Sequence, residues 1–283
     1  MTIAVHHLHA TENTFLVVDV RGDDALAARL AGDATALCAP DRFGGADGLI
    51  LLGTPAPGSD ADCAMRLVNA DGTDAEMSGN GIRTLAHVAH GLGLGDGARL
   101  AVDTAAGRRT LDLVVDAAGT LAAATVDMGA AMFDPGSIPT TADPVTGIAA
   151  EVDGVAYDGD AVGMGNPHWV LVVPDPASAA VLEHGPVLEH DPRFPNRTNV
   201  EFIAPTAGEP DAITMRVWER GVGETRSCGT GACAAATVAH RRGLVGPRVT
   251  VHVPGGDLTV ELGERIRLTG PVVETAVHPL EVA

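Results

Sequence analysis

The sequence contains the same turn-and-helix pattern twice, 150 residues apart. When residues 79–94 are laid over residues 229–244, eight of the sixteen positions are identical, including the two glycines of each Gly-x-Gly turn. Similarity at a fixed offset indicates that one structural unit occurs twice in the chain. Each unit would then have roughly 120 to 150 residues, which is a usual domain size.

The similarity extends beyond the two turns. Upstream of them, Arg66 corresponds to Arg216 and Asn69 corresponds to Glu219. Short apolar runs such as "TFLVVDV", "WVLVV" and "AITMRVW" predict strands around each glycine-initiated helix. The run "GACAAATVAH" has no wide polar face, and a helix that is apolar nearly all round is a buried one.

We therefore predict an α+β fold with two pseudo-symmetric halves. The first half comprises residues 1–121 plus 272–283, and the second comprises residues 122–271. In each half, a curved, mostly antiparallel sheet or barrel surrounds a central helix, and the active site is expected in the cleft between the halves.

Composition excludes several classes of function. The formal net charge of −19 argues against nucleic acid and anionic membranes as partners, because both require basic patches. All 18 basic residues are arginines, so no lysine can hold pyridoxal phosphate as a Schiff base. No targeting segment and no apolar run of ~18 residues is present, which predicts a cytoplasmic protein. The expected partner is a small amino-acid substrate, no cofactor is predicted, and homodimer formation is left open.

The four cysteines are too sparse for a disulfide framework. Cys38, Cys63 and Cys233 lack chemical context and are interpreted as small core residues. The "HHLH" run at residues 6–9 is interpreted as a strand with solvated histidines, because no carboxylate or cysteine stands at ligand spacing. No metal site is predicted.

The two turns have a definite chemical capacity. Glycines flanking Asn80 and Thr230 allow backbone N–H groups to approach a ligand closely. The start of a helix leaves N–H donors unpaired and carries partial positive charge, which suits a carboxylate or phosphate. Such a position is expected to lower the pKa of Cys228, which makes it a candidate base or nucleophile. The structural alternative is that both turns are helix starts whose glycines permit tight packing.

Two similar half-sites suit a reaction that is nearly its own mirror image. Inversion of a carbon next to a carboxylate is such a reaction, because a base removes the α-proton from one face and an acid returns a proton to the other.

At these residues the chain resembles the diaminopimelate epimerases, cofactor-independent enzymes of lysine and peptidoglycan synthesis. The resemblance rests on "NADGTDAEMSGNGIR" and "ERGVGETRSCGTGAC", with "GMGNPHWV" and "RFPNRTNV" between them. It extends from "HATENTF" at residue 9 to "LTGPV" at residue 268. It implies two pseudo-symmetric α/β halves and epimerisation of LL-diaminopimelate to the meso form by two bases.

The resemblance also assigns roles to single residues. Cys228 matches one of the two catalytic cysteines, Ser78 stands where the other belongs, and His168 and Glu219 complete the catalytic set. Gly79, Asn80, Gly229 and Thr230 match the backbone cradle for the reacting carboxylate. The residues that match the binding site for the distal amino-acid end are Asn13, Asn69, Asn166, Asn199, Glu219 and Arg220.

Ser78 is the main departure from the family pattern, and the sequence does not distinguish a natural serine from an introduced one. A hydroxyl is a poor base, so the resemblance implies impaired turnover. In addition, Gly48 stands where some family members carry a polar contact. Two alternatives stay open: a racemase or lyase that acts on another amino acid, and a protein that binds a diamino-dicarboxylate without converting it.

Overall fold

The computed structural model describes residues 1–75 and 77–282. The chain forms two compact units. The first unit is Met1–Asp127 with Thr269–Ala283, and the second unit is Met128–Leu268. The sequence placed these two boundaries after residues 121 and 271.

In the first unit, the strands are β1 (Thr2–Ala10), β2 (Asn13–Asp19), β3 (Gly48–Gly53), β4 (Cys63–Asn69), β5 (Asp74–Ala75), β6 (Arg99–Thr104), β7 (Gly107–Val115) and β8 (Leu121–Gly129). The helices are α1 (Asp24–Gly32), α2 (Ala34–Leu37), α3 (Pro40–Phe43) and the long α4 (Gly79–Gly91). Along the chain, β1 to β5 come before the long helix, and β6 to β8 come after it.

The second unit repeats this order. Its strands are β9 (Ile148–Val152), β10 (Val155–Gly163), β11 (Pro167–Val172), β12 (Asn199–Pro205), β13 (Ala212–Glu219), β14 (Gly223–Thr225), β15 (Arg248–Val253), β16 (Gly256–Glu261) and β17 (Ile266–Pro271). Its helices are α5 (Val181–Glu189) and the long α6 (Gly229–Arg241), preceded by a 3-10 turn at Pro176–Ser178. The last strand, β18 (Val273–Glu281), belongs to the first unit and pairs with β1.

Strand pairing follows the same pattern in both units. In the first, β2–β3 and β4–β6 are parallel, whereas β1–β2, β3–β4 and β6–β7 are antiparallel. In the second, β11–β12 and β13–β15 are parallel, whereas β10–β11, β12–β13 and β15–β16 are antiparallel. The predicted α+β architecture with two similar, mostly antiparallel halves is therefore confirmed.

Each long helix is packed against the strands of its own unit. Helix α4 lies against β1 to β4, and α6 lies against strands from β10 to β16. Residues 231–239 of α6 are all buried, in a core of Ala, Val, Ile and Leu side chains. The prediction of a buried central helix is confirmed. Because α6 is packed on all sides, the position of its N-terminus is also fixed.

The two helices also end alike, which explains part of the sequence repeat. Gly93 and Gly243 adopt φ values of +73° and +71°, the left-handed conformation that favours glycine at a helix end. The next residue closes the helix, since Leu94 N–H donates to Ala89 O at 3.0 Å and Leu244 N–H donates to the equivalent carbonyl at 2.9 Å. The shared Gly-Leu pair is thus a C-terminal capping motif.

Among the described residues, none of the helices has the length and apolar character needed to cross a membrane.

Candidate active site

Cys228 and Ser78 occupy the same structural position, the N-cap of a 13-residue helix. Cys228 Sγ accepts a hydrogen bond from Gly231 N–H at 3.4 Å, and Ser78 Oγ accepts one from Gly81 N–H at 3.0 Å. Both residues have extended backbone geometry, as N-caps do. The serine therefore takes over the capping role that the cysteine performs in the second unit.

The last glycine of each turn lies close to a neighbouring side chain. A Cβ atom on Gly231 would lie 2.9 Å from Glu201 Oε1, and a Cβ atom on Gly81 would lie 3.0 Å from Ile50 Cδ1. Both distances are shorter than side-chain carbons tolerate without movement of the neighbour. The packing alternative thus accounts for these two glycines, whereas it does not account for the polar groups around Cys228.

The N-terminus of α6 can bind a carboxylate. The first N–H groups of a helix have no intrahelical acceptor, and only that of Gly231 is satisfied by the cap. The N–H groups of Gly229 and Thr230 are therefore the natural donors for an anion. The same argument applies to Gly79 and Asn80 at the start of α4.

The pKa of Cys228 is raised, which makes the expectation of a lowered value wrong. Cys228 is only 6% exposed, and loss of hydration disfavours the thiolate. The nearby carboxylates of Glu219 and Glu201 raise its pKa further. The Thr230 hydroxyl and the Gly231 N–H act in the opposite direction but are outweighed. At neutral pH Cys228 is a thiol.

A chain of polar contacts leads from Cys228 into the core. Cys228 Sγ lies 3.5 Å from Thr230 Oγ1, which also accepts from Asn166 Nδ2 at 3.5 Å. Asn166 Oδ1 lies 2.9 Å from His168 Nε2, and His168 Nδ1 lies 2.6 Å from Glu201 Oε1. The side chains of His168 and Glu201 are fully buried. The structure thus connects three predicted site residues, Thr230, Asn166 and His168, to Cys228 through successive contacts.

The remaining predicted residues of the second unit surround the turn after β13. Asn199 Oδ1 accepts from Arg220 N–H at 2.9 Å, and its Nδ2 donates to Pro167 O at 2.8 Å. Glu219 Oε1 accepts from Thr225 Oγ1 at 2.5 Å. Arg220 is exposed, and its Nη1 donates to Asn196 O at 3.3 Å.

Glu189 supports this turn and was missed by the sequence analysis. Its side chain is 4% exposed and accepts from Trp218 Nε1 at 2.8 Å, Gly221 N–H at 2.9 Å and Arg197 at 3.1 Å. Trp218 and Gly221 flank the Glu219–Arg220 dipeptide, so one carboxylate fixes both ends of it. Nothing in the local sequence of α5 indicates this role.

Glu201 was also missed, although the sequence carried a signal for it. It lies in β12, in the run "NVEFIA", whose six residues are all buried. A glutamate in a strand that is otherwise apolar or amide-bearing needs a partner, because a buried charge is costly alone. That partner, His168, is 33 residues away and becomes adjacent only through the pairing of β11 and β12.

In the first unit, the start of α4 has a different set of neighbours. Asn80 is buried, and its Nδ2 donates to Asn13 Oδ1 at 3.2 Å while its Oδ1 accepts from Arg83 at 2.8 Å. Asn13 Nδ2 also donates to Asp47 at 2.5 Å. Because the Asn80 side chain is engaged in this way, its backbone N–H is the group that can contact a ligand.

Asn69 and Gly48 lie at neighbouring ends of β4 and β3. Asn69 Nδ2 donates to Thr73 Oγ1 at 3.0 Å, within its own turn. A Cβ atom on Gly48 would lie 3.0 Å from Val68 O, so a side chain has no room there. The glycine that departs from the family pattern is therefore dictated by the packing of this chain.

The other cysteines are buried and form no disulfide among the described residues, in agreement with their interpretation as core residues. Burial raises the pKa of Cys38 to about 11 and that of Cys63 to about 12. The "HHLH" histidines lie in β1 as predicted, but they are half-buried rather than fully solvated. His6 Nδ1 lies 2.6 Å from Glu274 of the adjacent strand β18.

Comparisons with known proteins agree with these features. The family described as diaminopimelate epimerase matches residues 5–133 and 160–273. The diaminopimelate epimerase of Moorella thermoacetica is 43% identical over 273 residues, which cover 94% of this chain and 95% of that protein.

Two solved structures share the fold at low sequence identity. A PhzF-family phenazine biosynthesis protein from Bacillus anthracis has a TM-score of 0.72 at 17% identity, with 100% of both chains covered. A hydroxyproline epimerase from Agrobacterium vitis has a TM-score of 0.70 at 17% identity, with 99% of this chain and 91% of that chain covered.

Proposed function

Because this chain belongs to the diaminopimelate epimerase family, we propose that it inverts one α-carbon of diaminopimelate and so interconverts the LL and meso forms. The observation that carries the proposal is the position of Cys228. Cys228 is the N-cap of a buried helix, and in this proposal its sulfur transfers the proton while the next two backbone N–H groups of the helix bind the carboxylate. A sulfur in that position lies beside the α-carbon of any amino acid whose carboxylate binds to α6.

The reaction transfers a proton to and from the α-carbon. The Cα–H bond breaks, its electron pair delocalises into the α-carboxylate, and the proton moves to a base. Backbone N–H groups at the helix start stabilise the negative charge that develops on the carboxylate oxygens. Return of a proton to the opposite face of the carbon completes the inversion without a change of oxidation state.

In this scheme Cys228 serves as the acid in its resting state and as the base after losing its proton. Its raised pKa follows from burial and from the carboxylates of Glu219 and Glu201. An amino-acid substrate brings a cationic α-ammonium group, and a positive charge beside a thiol favours the thiolate. Substrate binding therefore activates the base that the free protein keeps protonated.

Ser78 is proposed to serve the second face, and it does so poorly. Its hydroxyl can donate a proton in a hydrogen bond but is not deprotonated near neutrality. Of the groups that hydrogen-bond to Ser78 or Asn80 among the described residues, namely Gly81 N–H, Asn13 and Arg83, none is a base. Proton removal at this face is therefore the impaired step.

The distal amino-acid end of the substrate is assigned to polar side chains of the second unit, namely Asn166, Asn199, Glu219 and Arg220. The exposed guanidinium of Arg220 presents paired donors to a carboxylate, and Glu219 offers an acceptor to an ammonium group. A ligand with an alkyl tail would leave these groups without partners, which costs roughly 1–3 kcal/mol for each one that is desolvated.

The test is deuterium incorporation at Cα in D2O, followed by NMR and chiral chromatography, with LL- and meso-diaminopimelate as substrates. We expect exchange that depends on Cys228, with slow inversion, and we expect Cys228→Ala to abolish both. Brisk exchange in Cys228→Ala would refute the assignment of the base.

The same assay separates the alternatives. Loss of a substituent from the substrate would indicate a lyase, and exchange of a different amino acid in preference to diaminopimelate would indicate a related racemase. Calorimetric binding of diaminopimelate with no exchange in either this chain or Ser78→Cys would indicate a binding protein.

A further inference from the structure

The buried pair His168–Glu201 has an apolar counterpart in the first unit. The run "NTFLVVD" aligns with "NPHWVLV", and parallel strand pairing carries the alignment to the neighbouring strands β3 and β12. The resulting equivalences are Phe15 with His168 and Ile50 with Glu201. The packing agrees, because Ile50 and Glu201 are each the nearest neighbour of the last glycine in their turn, at 3.0 Å and 2.9 Å from its notional Cβ.

The fold itself does not need a polar pair at this place. Phe15 is 3% exposed and Ile50 is fully buried, so the first unit fills the same position with hydrocarbon. Burying a carboxylate and an imidazole has a desolvation cost, and apolar residues of similar volume are often more stabilising. The second unit therefore has a polar pair, His168–Glu201, that is less stabilising than the apolar residues at the same position in the first unit. This pair lies behind the turn that contains Cys228.

The hydrogen bonds around His168 fix where its protons lie. Asn166 Oδ1 has only lone pairs to offer, so the His168 Nε2 atom, 2.9 Å away, carries a proton and donates it. On the other side of the ring, one proton lies between Nδ1 and Glu201 Oε1, which are 2.6 Å apart. Whether that second proton resides on nitrogen or on the carboxyl group, Nε2 remains a donor.

The Asn166 amide is oriented by this donor. With Oδ1 held by His168, the Nδ2 group points toward Thr230 Oγ1 at 3.5 Å, beside the start of α6. A reversed amide would present a carbonyl oxygen to the place where the helix N-terminus attracts a carboxylate. The orientation of Asn166 thus decides whether an N–H donor or a carbonyl oxygen lies beside the turn that begins α6.

We propose that Glu201 is a positioning residue, which holds the His168 ring with Nε2–H toward Asn166 and so keeps the Asn166 amide N–H group turned toward the Cys228 turn. Its predicted effect on turnover rests on the proposed epimerase function, whereas its effect on the ring proton does not. Glu201 touches neither the substrate nor Cys228 in this role.

The first test measures the ring proton directly. In protein labelled with [15N]histidine, long-range 1H–15N spectra report whether each ring nitrogen of His168 is protonated. We expect Nε2 of His168 to be protonated in the unaltered chain and in Glu201→Gln, because the glutamine amide can donate to Nδ1. In Glu201→Met the ring loses its fixed partner, and a mixture of tautomers is expected. An unprotonated Nε2 in the unaltered chain would overturn the proposal, even if the methionine variant failed to fold.

The second test compares α-hydrogen exchange in the same proteins. We expect Glu201→Gln to stay within about fivefold of the unaltered chain and Glu201→Met to fall by about 30-fold in kcat, the size of a lost hydrogen bond to a charged group. The control for packing is the double variant His168→Phe/Glu201→Ile, which copies the first unit. It should melt at the same or a higher temperature and remain inactive.

The outcomes distinguish the positioning role of Glu201 from the proposed epimerase function. Recovery of exchange in the double variant would show that the pair serves only packing, and equal rates and equal ring spectra in Glu201→Met would show that it positions nothing. If the unaltered chain and Ser78→Cys both fail to exchange diaminopimelate, the proposed function is wrong, while the ring spectra still decide the role of Glu201.

Discussion

Replacement of Ser78 by cysteine should accelerate the proton transfer that we propose is impaired at Ser78. The second unit shows that a cysteine fits the position, since Cys228 Sγ caps α6 at 3.4 Å where Ser78 Oγ caps α4 at 3.0 Å. An N-cap hydrogen bond contributes about 1 kcal/mol, so the slightly longer sulfur contact should cost less than that. We therefore expect Ser78→Cys to fold normally.

The gain in rate follows from the difference in acidity between the two groups. A thiol has a pKa of ~8.5, whereas an alcohol is about as weak an acid as water and keeps its proton far above neutrality. The gap of about 7 units corresponds to roughly 10 kcal/mol of proton affinity. If about half of that gap appears in the barrier, as is usual for Brønsted behaviour, proton removal at this face should accelerate by roughly three to four orders of magnitude.

The assay measures Cα deuteration of each stereoisomer separately, at equal protein concentration. In the unaltered chain the stereoisomer whose α-hydrogen faces Cys228 should exchange faster than its epimer, and in Ser78→Cys the two rates should become comparable. Ser78→Ala is the matched control and should resemble the unaltered chain, because neither a methyl group nor a hydroxyl acts as a base. Brisk epimerisation by the unaltered chain, with no change in Ser78→Cys, would show that another group is the second base.

Three further outcomes follow from burial and charge. Since the pKa of Cys228 is raised in the free protein, the thiolate is a minor species near neutrality, and kcat/KM for exchange should rise about tenfold per unit between pH 7 and 8.5; a flat profile would contradict this. Cys63 has a pKa raised from 9.0 to about 12, so the unfolded chain loses this proton first and stability falls as pH rises above 9. Denaturant unfolding should show a loss of roughly 2 kcal/mol from this group by pH 10.5, absent in Cys63→Ala. Glu189→Gln weakens the support of the Glu219–Arg220 turn and should raise KM for diaminopimelate on the order of tenfold with little change in kcat, whereas a fall in kcat alone would contradict a positioning role.

The local features of the site could be predicted from the sequence because their causes are local. The Gly-x-Gly turns, the caps at Ser78 and Cys228, and the glycine ends of both helices depend on residues within one or two turns of helix. The two-unit architecture could also be predicted, because the sequence repeat indicates that the same order of strands surrounds each long helix.

The non-local features could not be predicted in the same way. His168 and Glu201 meet only because β11 and β12 run parallel in one register, and a shift of one residue would turn Glu201 to the other face of the sheet. Likewise, Glu189 reaches the turn after β13 from the end of α5. Neither contact has a spacing in the sequence that would reveal it.

The pKa of Cys228 is raised, although the rule that a helix N-terminus lowers the pKa of a cysteine predicted the opposite direction. The helix N-terminus does favour the thiolate, through the Gly231 N–H and the Thr230 hydroxyl. Burial and two carboxylates, Glu219 and Glu201, act against it and prevail, and none of the three is visible in the turn itself.

The two units therefore share a scaffold but differ in the side chain that caps the long helix and in the residues behind that cap. In the second unit the cap is a buried thiol backed by the polar pair His168–Glu201, so its protonation responds to any charge that a ligand brings. In the first unit the cap is a half-buried hydroxyl backed by Phe15 and Ile50, and nothing among its described contacts can accept a proton from it. A hydroxyl can hold the helix start as well as sulfur does, which is why the repeat tolerates it structurally. It cannot exchange roles between acid and base, and that exchange is what the proposed inversion would require of it.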